Sequence, residues 1–226
     1  MTGAGASSTK TARLMKSVAE KPAALIEPPP IETARLQVRL VRLSDLPALL
    51  LVNGDDEVTR RLPYAAWRSA GDAEAWLLRM AALQAAGTAL QFVVVEKRSD
   101  TAIGTCLLFR YDSGSARAEI GYVLGRRHWG SGTMREALGG LIDCAFGPMG
   151  IRRLEAEVDP RNAASARLLL GLGFGREGLL RQRWVNRGEP TDAECYGLLR
   201  DEWRGPPPSR SLSPSPSPST STSTSP

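Results

Sequence analysis

The sequence predicts an α+β fold, a single domain built on one mixed, mostly antiparallel central sheet flanked by helices. Three observations lead there. Strand-like and helix-like stretches are interspersed without a strict β-α-β alternation. A strand-like run, Ala118 to Leu124, passes through a glycine-spaced segment, Arg126 to Met134, into a strongly helical one. The last structured stretch reads as a hairpin of Leu179 to Val185 and Ala193 to Leu199, turned at Asn186-Arg187-Gly188.

The elements follow in order. Leu36 to Arg42 alternates and reads as a first strand, with Ser44-Asp45 placed to cap a helix over Leu46 to Val52. Asp72 starts an amphipathic helix whose buried face is expected to hold Trp76, Leu77, Met80 and Leu83. Leu90 to Glu96 and Ala102 to Arg110 form a hairpin around Arg98-Ser99-Asp100-Thr101, and Ala116 to Leu124 is the next strand. Met134, Ala137, Leu138, Leu141, Ile142 and Ala145 then make one apolar helical stripe, stopped by Gly147-Pro148. A strand from Arg153 to Val158 and a helix from Ala163 to Leu172 precede the final hairpin.

Residues 31–204 are read as the domain. The leader, residues 1–30, is rich in Ala, Ser, Thr and Pro, and residues 205–226 are nearly all Pro, Ser and Thr. Neither end buries enough apolar surface to offset its ordering entropy, so both are expected to be disordered, apart from a short helix near Thr11 to Ala24. Lys10, Arg13 and Lys16 without an early acid give the leader a transit-peptide charge bias; a variable N-terminal extension is the favoured reading. The tail is read as a flexible linker or a modification target. No run is apolar enough to span a bilayer, so no membrane partner is expected.

The 29 basic and 24 acidic residues leave a net charge of +5. The basic residues are scattered, with Arg181, Arg183 and Arg187 the nearest to a cluster, so a nucleic-acid partner is not expected. Cys106, Cys144 and Cys195 each sit in an apolar pattern and read as buried thiols of a reducing compartment, here the cytoplasm. No His/Cys spacing suggests a metal site.

The segment Arg127-His128-Trp129-Gly130-Ser131-Gly132 is an anion cradle by its chemistry. Spaced glycines let backbone approach an oxyanion closely, and the unpaired N–H groups of the next helical turn point at it. It is neither a P-loop, since no Gly-Lys-Ser/Thr follows, nor a dinucleotide fingerprint, since Met134 and Arg135 fill the place of a third glycine. A glycine turn that merely packs a helix on a sheet is the bland alternative.

Together with Asp159-Pro160-Arg161-Asn162-Ala163-Ala164-Ser165 and Gly171-Leu172-Gly173-Phe174, the segment resembles the GNAT superfamily of acetyl-CoA-dependent N-acyltransferases. Further landmarks are similar to its branch that includes the ribosomal-protein alanine N-acetyltransferases (RimJ/RimL-like). These are an opening Glu-Thr-x-Arg-Leu strand (Glu32 to Leu36), a Glu-Ile-Gly-Tyr-x-Leu strand (Glu119 to Leu124) and the run Tyr196 to Trp203.

The resemblance implies acetyl-CoA as cosubstrate and an amine acceptor. The amides of Gly130, Ser131, Gly132, Thr133 and Met134 would face the CoA diphosphate, with Arg127 adding charge. The pantetheine arm would lie along the Tyr122-Val123-Leu124 backbone where the strand splays, and the Val123 N–H would polarise the thioester carbonyl. Asn162 and Ser165 share a helix face; Asn162 is read both as N-cap and as a cofactor contact, and Ser165 as the proton donor to the leaving thiol. The tyrosine that many members use as acid is replaced here by Leu169, which leaves Ser165 or an ordered water.

Glu119 is the candidate base, directly or through water, against an equally weighted reading as a strand-end carboxylate paired to Arg110 or Arg117. His128, the only histidine, is read as facing away from the acceptor. Tyr64, Trp67, Arg183 and Asn186 are acceptor-side candidates by analogy, against ordinary core or surface packing.

The favoured acceptor is a protein N-terminal α-amine, whose pKa of ~8 demands less help than the ~10.4 of lysine. A small-molecule or antibiotic amine and a non-catalytic acyl-CoA sensor are the alternatives. A homodimer is an open expectation.

Overall fold

A computed structural model describes residues 24–205. The leader up to residue 23, with most of the helix expected there, and the tail from residue 206 lie outside the described residues. In chain order the strands are β1 (Ile31–Glu32), β2 (Leu36–Leu40), β3 (Leu90–Glu96), β4 (Thr101–Asp112), β5 (Arg117–Leu124), β6 (Arg153–Val158), β7 (Gly175–Asn186) and β8 (Glu189–Leu199). The helices are α1 (Leu46–Asn53), α2 (Asp56–Thr59), α3 (Ala70–Ala85), α4 (Thr133–Phe146) and α5 (Ala163–Gly171). All strands join one sheet in the order β1-β2-β3-β4-β5-β6-β8-β7. Every neighbouring pair is antiparallel except β5 and β6, which are parallel.

Helices cover both faces of the sheet, and β3 shows why its sequence is apolar throughout. Successive strand residues point to opposite faces. Phe92 and Val94 enter the larger core, shared with Leu138, Leu141 and Ile142 of α4 and Leu169 of α5. Val93 and Val95 enter a second core with Leu46, Leu49, Trp67, Ala73 and Trp76 beneath α1 and α3. The α4 stripe is buried as its periodicity predicts, and each of its leucines contributes roughly 2 kcal/mol by leaving water.

Several expectations need correction. Leu83 is exposed; α3 buries Ala73 and Trp76, with Leu77 and Met80 only half-buried. That helix begins at Ala70, because Ser69 and Asp72 form a capping box: Ser69 Oγ accepts from the Asp72 N–H, and the Asp72 carboxylate accepts from Ser69 N–H. Asp45 does not cap α1 through its side chain. Its buried carboxylate instead takes both Nη groups of Arg39, at 2.8 and 2.9 Å, and the Arg42 N–H at 2.7 Å.

The Glu32-to-Leu36 motif is not one strand. It breaks at Thr33 to Arg35, turning β1 into β2, and the break is bolted to α4. Glu136 accepts from Thr33 Oγ1 at 2.7 Å, from the Arg35 N–H at 2.8 Å and from Arg35 Nε at 2.6 Å. The final hairpin is longer than its apolar runs suggested, since β7 starts at Gly175.

Removing one partner of a buried, multiply bonded ion pair strands the other charge. Asp45→Ala is therefore expected to lose ~3 kcal/mol of unfolding free energy in a denaturant titration, whereas loss of an exposed partner such as Asp56 should cost under ~1 kcal/mol.

Candidate active site

The site is made by a failure of pairing. β5 touches β6 only over Arg117↔Arg153, Ala118↔Leu154 and Glu119↔Glu155. β5 goes on with β4 as far as Gly104↔Leu124, and β6 goes on with β8 to Val158↔Glu194. Each strand follows its outer neighbour, and the sheet's twist carries the two apart. A gap opens in mid-sheet beyond Glu119.

Backbone phase decides which groups line the gap. The Gly125 N–H donates to Ile103 O at 2.8 Å, beside the Gly104↔Leu124 pair. In a regular antiparallel ladder this turns the N–H of Val123 to β4 as well, opposite Thr105. Val123 is therefore not the free donor expected from the sequence. Tyr122 and Leu124 direct their N–H groups into the gap, and no acceptor for either is found among the described residues. The Leu124 carbonyl is engaged by Trp129 Nε1 at 2.7 Å.

The two faces of the gap differ in chemistry. On the face covered by α4 and α5, the Tyr122 hydroxyl lies 2.6 Å from Ser165 Oγ. Asn162 is the N-cap of α5, and its Oδ1 accepts from Ser165 N–H at 3.2 Å, which orients that serine. Burial pushes the Tyr122 phenol up to about 12, so it stays protonated at neutral pH. The sequence pattern points only to the backbone of Tyr122. Leu169, in the place of the usual tyrosine, is fully buried in the core.

On the opposite face stand Glu119, Glu155 and Glu157, because Ala118, Leu154, Ala156 and Val158 take the core side. Glu119 is 7% exposed and pairs with Arg110 Nη1 at 2.8 Å. Burial raises its pKa above the usual glutamate value, and the Arg110 bond only partly offsets this. Glu155 is held below the usual value: burial opposes, but Arg153 and Arg117 outweigh it. Arg183 Nη2 pairs with Glu157 at 3.0 Å, and Arg110 lies 3.8 Å from the same carboxylate. Both guanidinium groups also stand beside the Trp184 ring, at 5.2 Å for Arg110 and 5.6 Å for Arg183.

The cradle lies at the start of α4. Gly130 and Gly132 adopt left-handed backbone, at φ 72° and 75°, and an added Cβ on Gly130 would meet nothing within 4 Å. Gly132 is the N-cap, without a side-chain cap. Among the described residues no acceptor is bonded to the N–H groups of Gly130, Ser131, Gly132, Thr133 or Met134. Ser131 Oγ is tied to His128 O at 2.6 Å and to Thr133 Oγ1 at 2.7 Å, which fixes the loop while leaving the amides open. Such a set of donors suits a diphosphate.

Other site expectations shift. Arg127 sits on the 3-10 turn Arg126–His128 and lines a cleft with Glu96, Arg98, Ser99, Thr101, Ile103 and His128. Arg35 also stands at the cradle, its Nη1 donating to Ser131 O at 3.3 Å. Only the Glu136 clamp signals it, and no local pattern announces a contact between residues so distant in sequence. His128 lies in the Arg127 cleft, and burial lowers its pKa.

Trp67 is not on a binding surface. It is 6% exposed and stacks on Trp76 with ring centroids 5.1 Å apart. The Tyr64 hydroxyl donates to Asn53 Oδ1 at 3.0 Å, tying the loop before α3 to the end of α1. Arg183 does reach the Glu119 face, but with its charge already paired. Asn186 closes the hairpin opposite Glu189 and makes no bond to the cluster. Among the described residues no group of His, Cys, Asp or Glu could hold a metal, and no helix is long and apolar enough to cross a membrane.

A gap in mid-sheet, an open amide cradle at the start of α4, and a hydroxyl pair and a buried carboxylate on opposite faces of β5 suit an acyltransferase of the acetyl-CoA-dependent kind. Residues 35–175 match the acetyltransferase (GNAT) domain, and the chain belongs to that family. It is 37% identical over 173 residues to the uncharacterized N-acetyltransferase p20 of Bacillus licheniformis, covering 76% of this chain and 97% of p20. It is 30% identical over 118 residues to the ribosomal protein uS5-alanine N-acetyltransferase of Escherichia coli (52% of this chain, 61% of that one). The fold is shared with Mycobacterium smegmatis RimJ in complex with CoA-disulfide, at TM-score 0.70 and 23% identity over 76% of this chain and 85% of that one.

A branched side chain at Gly132 would be strained at φ 75°, and its Cβ would stand 3.9 Å from Arg35 Nη2. Gly132→Val is expected to weaken CoA binding at least about tenfold in calorimetry; unchanged affinity would remove the cradle from cofactor capture.

Proposed function

We propose that this protein transfers the acetyl group of acetyl-CoA to a protein N-terminal α-amine, directly, with both substrates bound together. The observation that carries the reading is that the Tyr122–Ser165 hydroxyl pair stands on one face of β5 and Glu119 on the other, where β5 and β6 part. The thioester enters along the α4/α5 face, and the amine reaches it from the carboxylate face.

Each step has a residue. The open amides of Gly130 to Met134, with Arg35 beside them, hold the diphosphate. The Tyr122 and Leu124 N–H groups pair with the pantetheine arm as an added strand would, and one of them polarises the thioester carbonyl. A preorganised donor of this kind contributes ~3 kcal/mol. Glu119, directly or through one water, takes the proton that the attacking amine must lose. Bound acetyl-CoA supplies an activated acyl group with a thiolate as leaving group. Ser165 returns a proton to that sulfur and regains one through the Tyr122 hydroxyl, which takes its own proton from solvent as it passes one on, since its raised pKa keeps it protonated. This pair stands in for the tyrosine replaced by Leu169.

The acceptor class rests on three supports. The E. coli relative is named for acetylation of a ribosomal-protein alanine. The α-amine needs only the modest basicity of a carboxylate such as Glu119. The carboxylates of the acceptor face are already paired with Arg110, Arg117, Arg153 and Arg183, which leaves little net attraction for a polyamine. The three cysteines are free, which supports a cytoplasmic setting.

Incubation with acetyl-CoA and pooled peptides bearing free N-termini should release thiol, with the acetyl group found on the α-nitrogen by mass spectrometry. Acetylation confined to lysine side chains, polyamines or small amines would sink the α-amine assignment. Activity should also fall on the acid side, because Glu119 must be ionised and its pKa is raised. The kcat/KM limb is expected above the ~4.3 of a free glutamate and should vanish in Glu119→Gln. Ser165→Ala should lower kcat by ~10²-fold or more with CoA affinity nearly unchanged; wild-type turnover would remove Ser165 from the mechanism.

A further inference from the structure

Two interruptions of the sheet converge on the carboxylate face. In β4 the register to β5 shifts between Phe109 and Asp112, and Arg110 takes φ 51°. Phe109 pairs with Glu119 and shares its face, so in an unbroken strand Arg110 would point to the other one. The bulge returns its guanidinium to Glu119. In β7 the register to β8 shifts between Leu180 and Trp184, so Arg181, Gln182 and Arg183 stand opposite Asp192 alone. Gln182 takes φ 49°, and its N–H, which the broken ladder would orphan, donates to Asp192 Oδ1 at 2.8 Å. From this bulge Arg183 reaches back across β8 and grips Glu157 with Nε and Nη2. Non-glycine residues at positive φ are costly and persist only where the surroundings hold them.

We propose that Asp192 is a positioning residue for the acceptor face: by holding the Gln182 bulge it delivers Arg183 to Glu157, and so leaves Arg110 to Glu119. Arg110 stands between the two carboxylates, 2.8 Å from Glu119 and 3.8 Å from Glu157. With Arg183 in place, Glu157 is neutralised from the β7 side. Without it, Glu157 would draw Arg110 away and add its own unpaired charge beside Glu119. The groups that act on Glu119 are then Arg110 from β4, Glu155 and Glu157 from β6, Arg183 through Glu157 from β7, and Cys195, on the same face of β8. Loss of the bulge therefore favours the protonated form of Glu119. The inference deepens the base assignment given above, yet its geometry stands without it.

The test follows the Glu119 carboxyl carbon by NMR through a pH titration of the full chain. It compares the wild type with Asp192→Ala, Asp192→Asn and Arg183→Met. Asp192→Ala and Arg183→Met should raise the Glu119 midpoint by a similar amount, on the order of one pH unit, and the double variant should add nothing. Asp192→Asn keeps an Oδ1 acceptor and should titrate as the wild type does. CoA affinity by calorimetry should be the same in all of them, since the cradle lies on the other face; should Asp192→Ala lose it through misfolding, Asp192→Val, which also lacks an acceptor, serves in its place. A Glu119 midpoint that moves in Arg183→Met but not when residue 192 loses its acceptor would overturn the role of Asp192. So would one that moves in neither. If the midpoint moves and the acid limb of kcat/KM does not follow, the base assignment fails and the positioning role stands.

Discussion

The structure depends on the short parallel contact between β5 and β6. Three residue pairs hold the two halves of the sheet together, and beyond them each strand keeps only its outer partner. A buried N–H or C=O without a partner is costly, so an unpaired strand edge inside a domain calls for an occupant. In the proposed function an extended chain bearing amides, such as pantetheine, would supply the missing ladder bonds. The same gap lets groups on opposite faces of one sheet address one bond. In the proposed reaction the sheet itself separates cofactor from acceptor.

The cradle and the gap form one device because of how α4 is anchored. Its N-terminus is fixed by the Ser131 hydroxyl bonds and by the Glu136 clamp on the β1–β2 turn. Its apolar stripe is locked into the larger core. The open amides are therefore rigid donors, which need little reorganisation on meeting a diphosphate. On the acceptor face rigidity comes from paired charges, with arginines from β4, β5, β6 and β7 matched to the glutamates of β5 and β6. An unpaired Glu119 at this burial would titrate still higher; Arg110 partly offsets the effect of burial and so favours the ionised form that the proposed base requires.

What the sequence disclosed follows from the range of each interaction. Leu90–Glu96 and Arg153–Val158 were legible to the residue, since apolar runs and alternation are local signals. The α4 stripe and its glycine-spaced entry were legible for the same reason. Val123 was misassigned because the direction of an N–H depends on ladder phase, which only the pairing with β4 fixes. Trp67 was misplaced because an aromatic residue in a loop looks the same whether it lines a pocket or plugs a core. Arg35, Tyr122 Oη and the Arg110 bulge escaped notice because each acts on a partner brought near by the fold. The sequence leaves Glu119 open as a base or as a partner of Arg110; the pairing is present, and a carboxylate so paired can still accept a proton.

Amide hydrogen exchange, followed residue by residue with and without saturating CoA, tests the central claim most directly. Without CoA the N–H groups of Tyr122 and Leu124 should exchange much faster than that of Val123, and those of Gly130 to Met134 should be fast. With CoA all of these should slow sharply, and Val123 should stay as it was. Protection of Tyr122 and Leu124 already present without CoA, or none gained on saturation, would contradict an open strand edge completed by the cofactor.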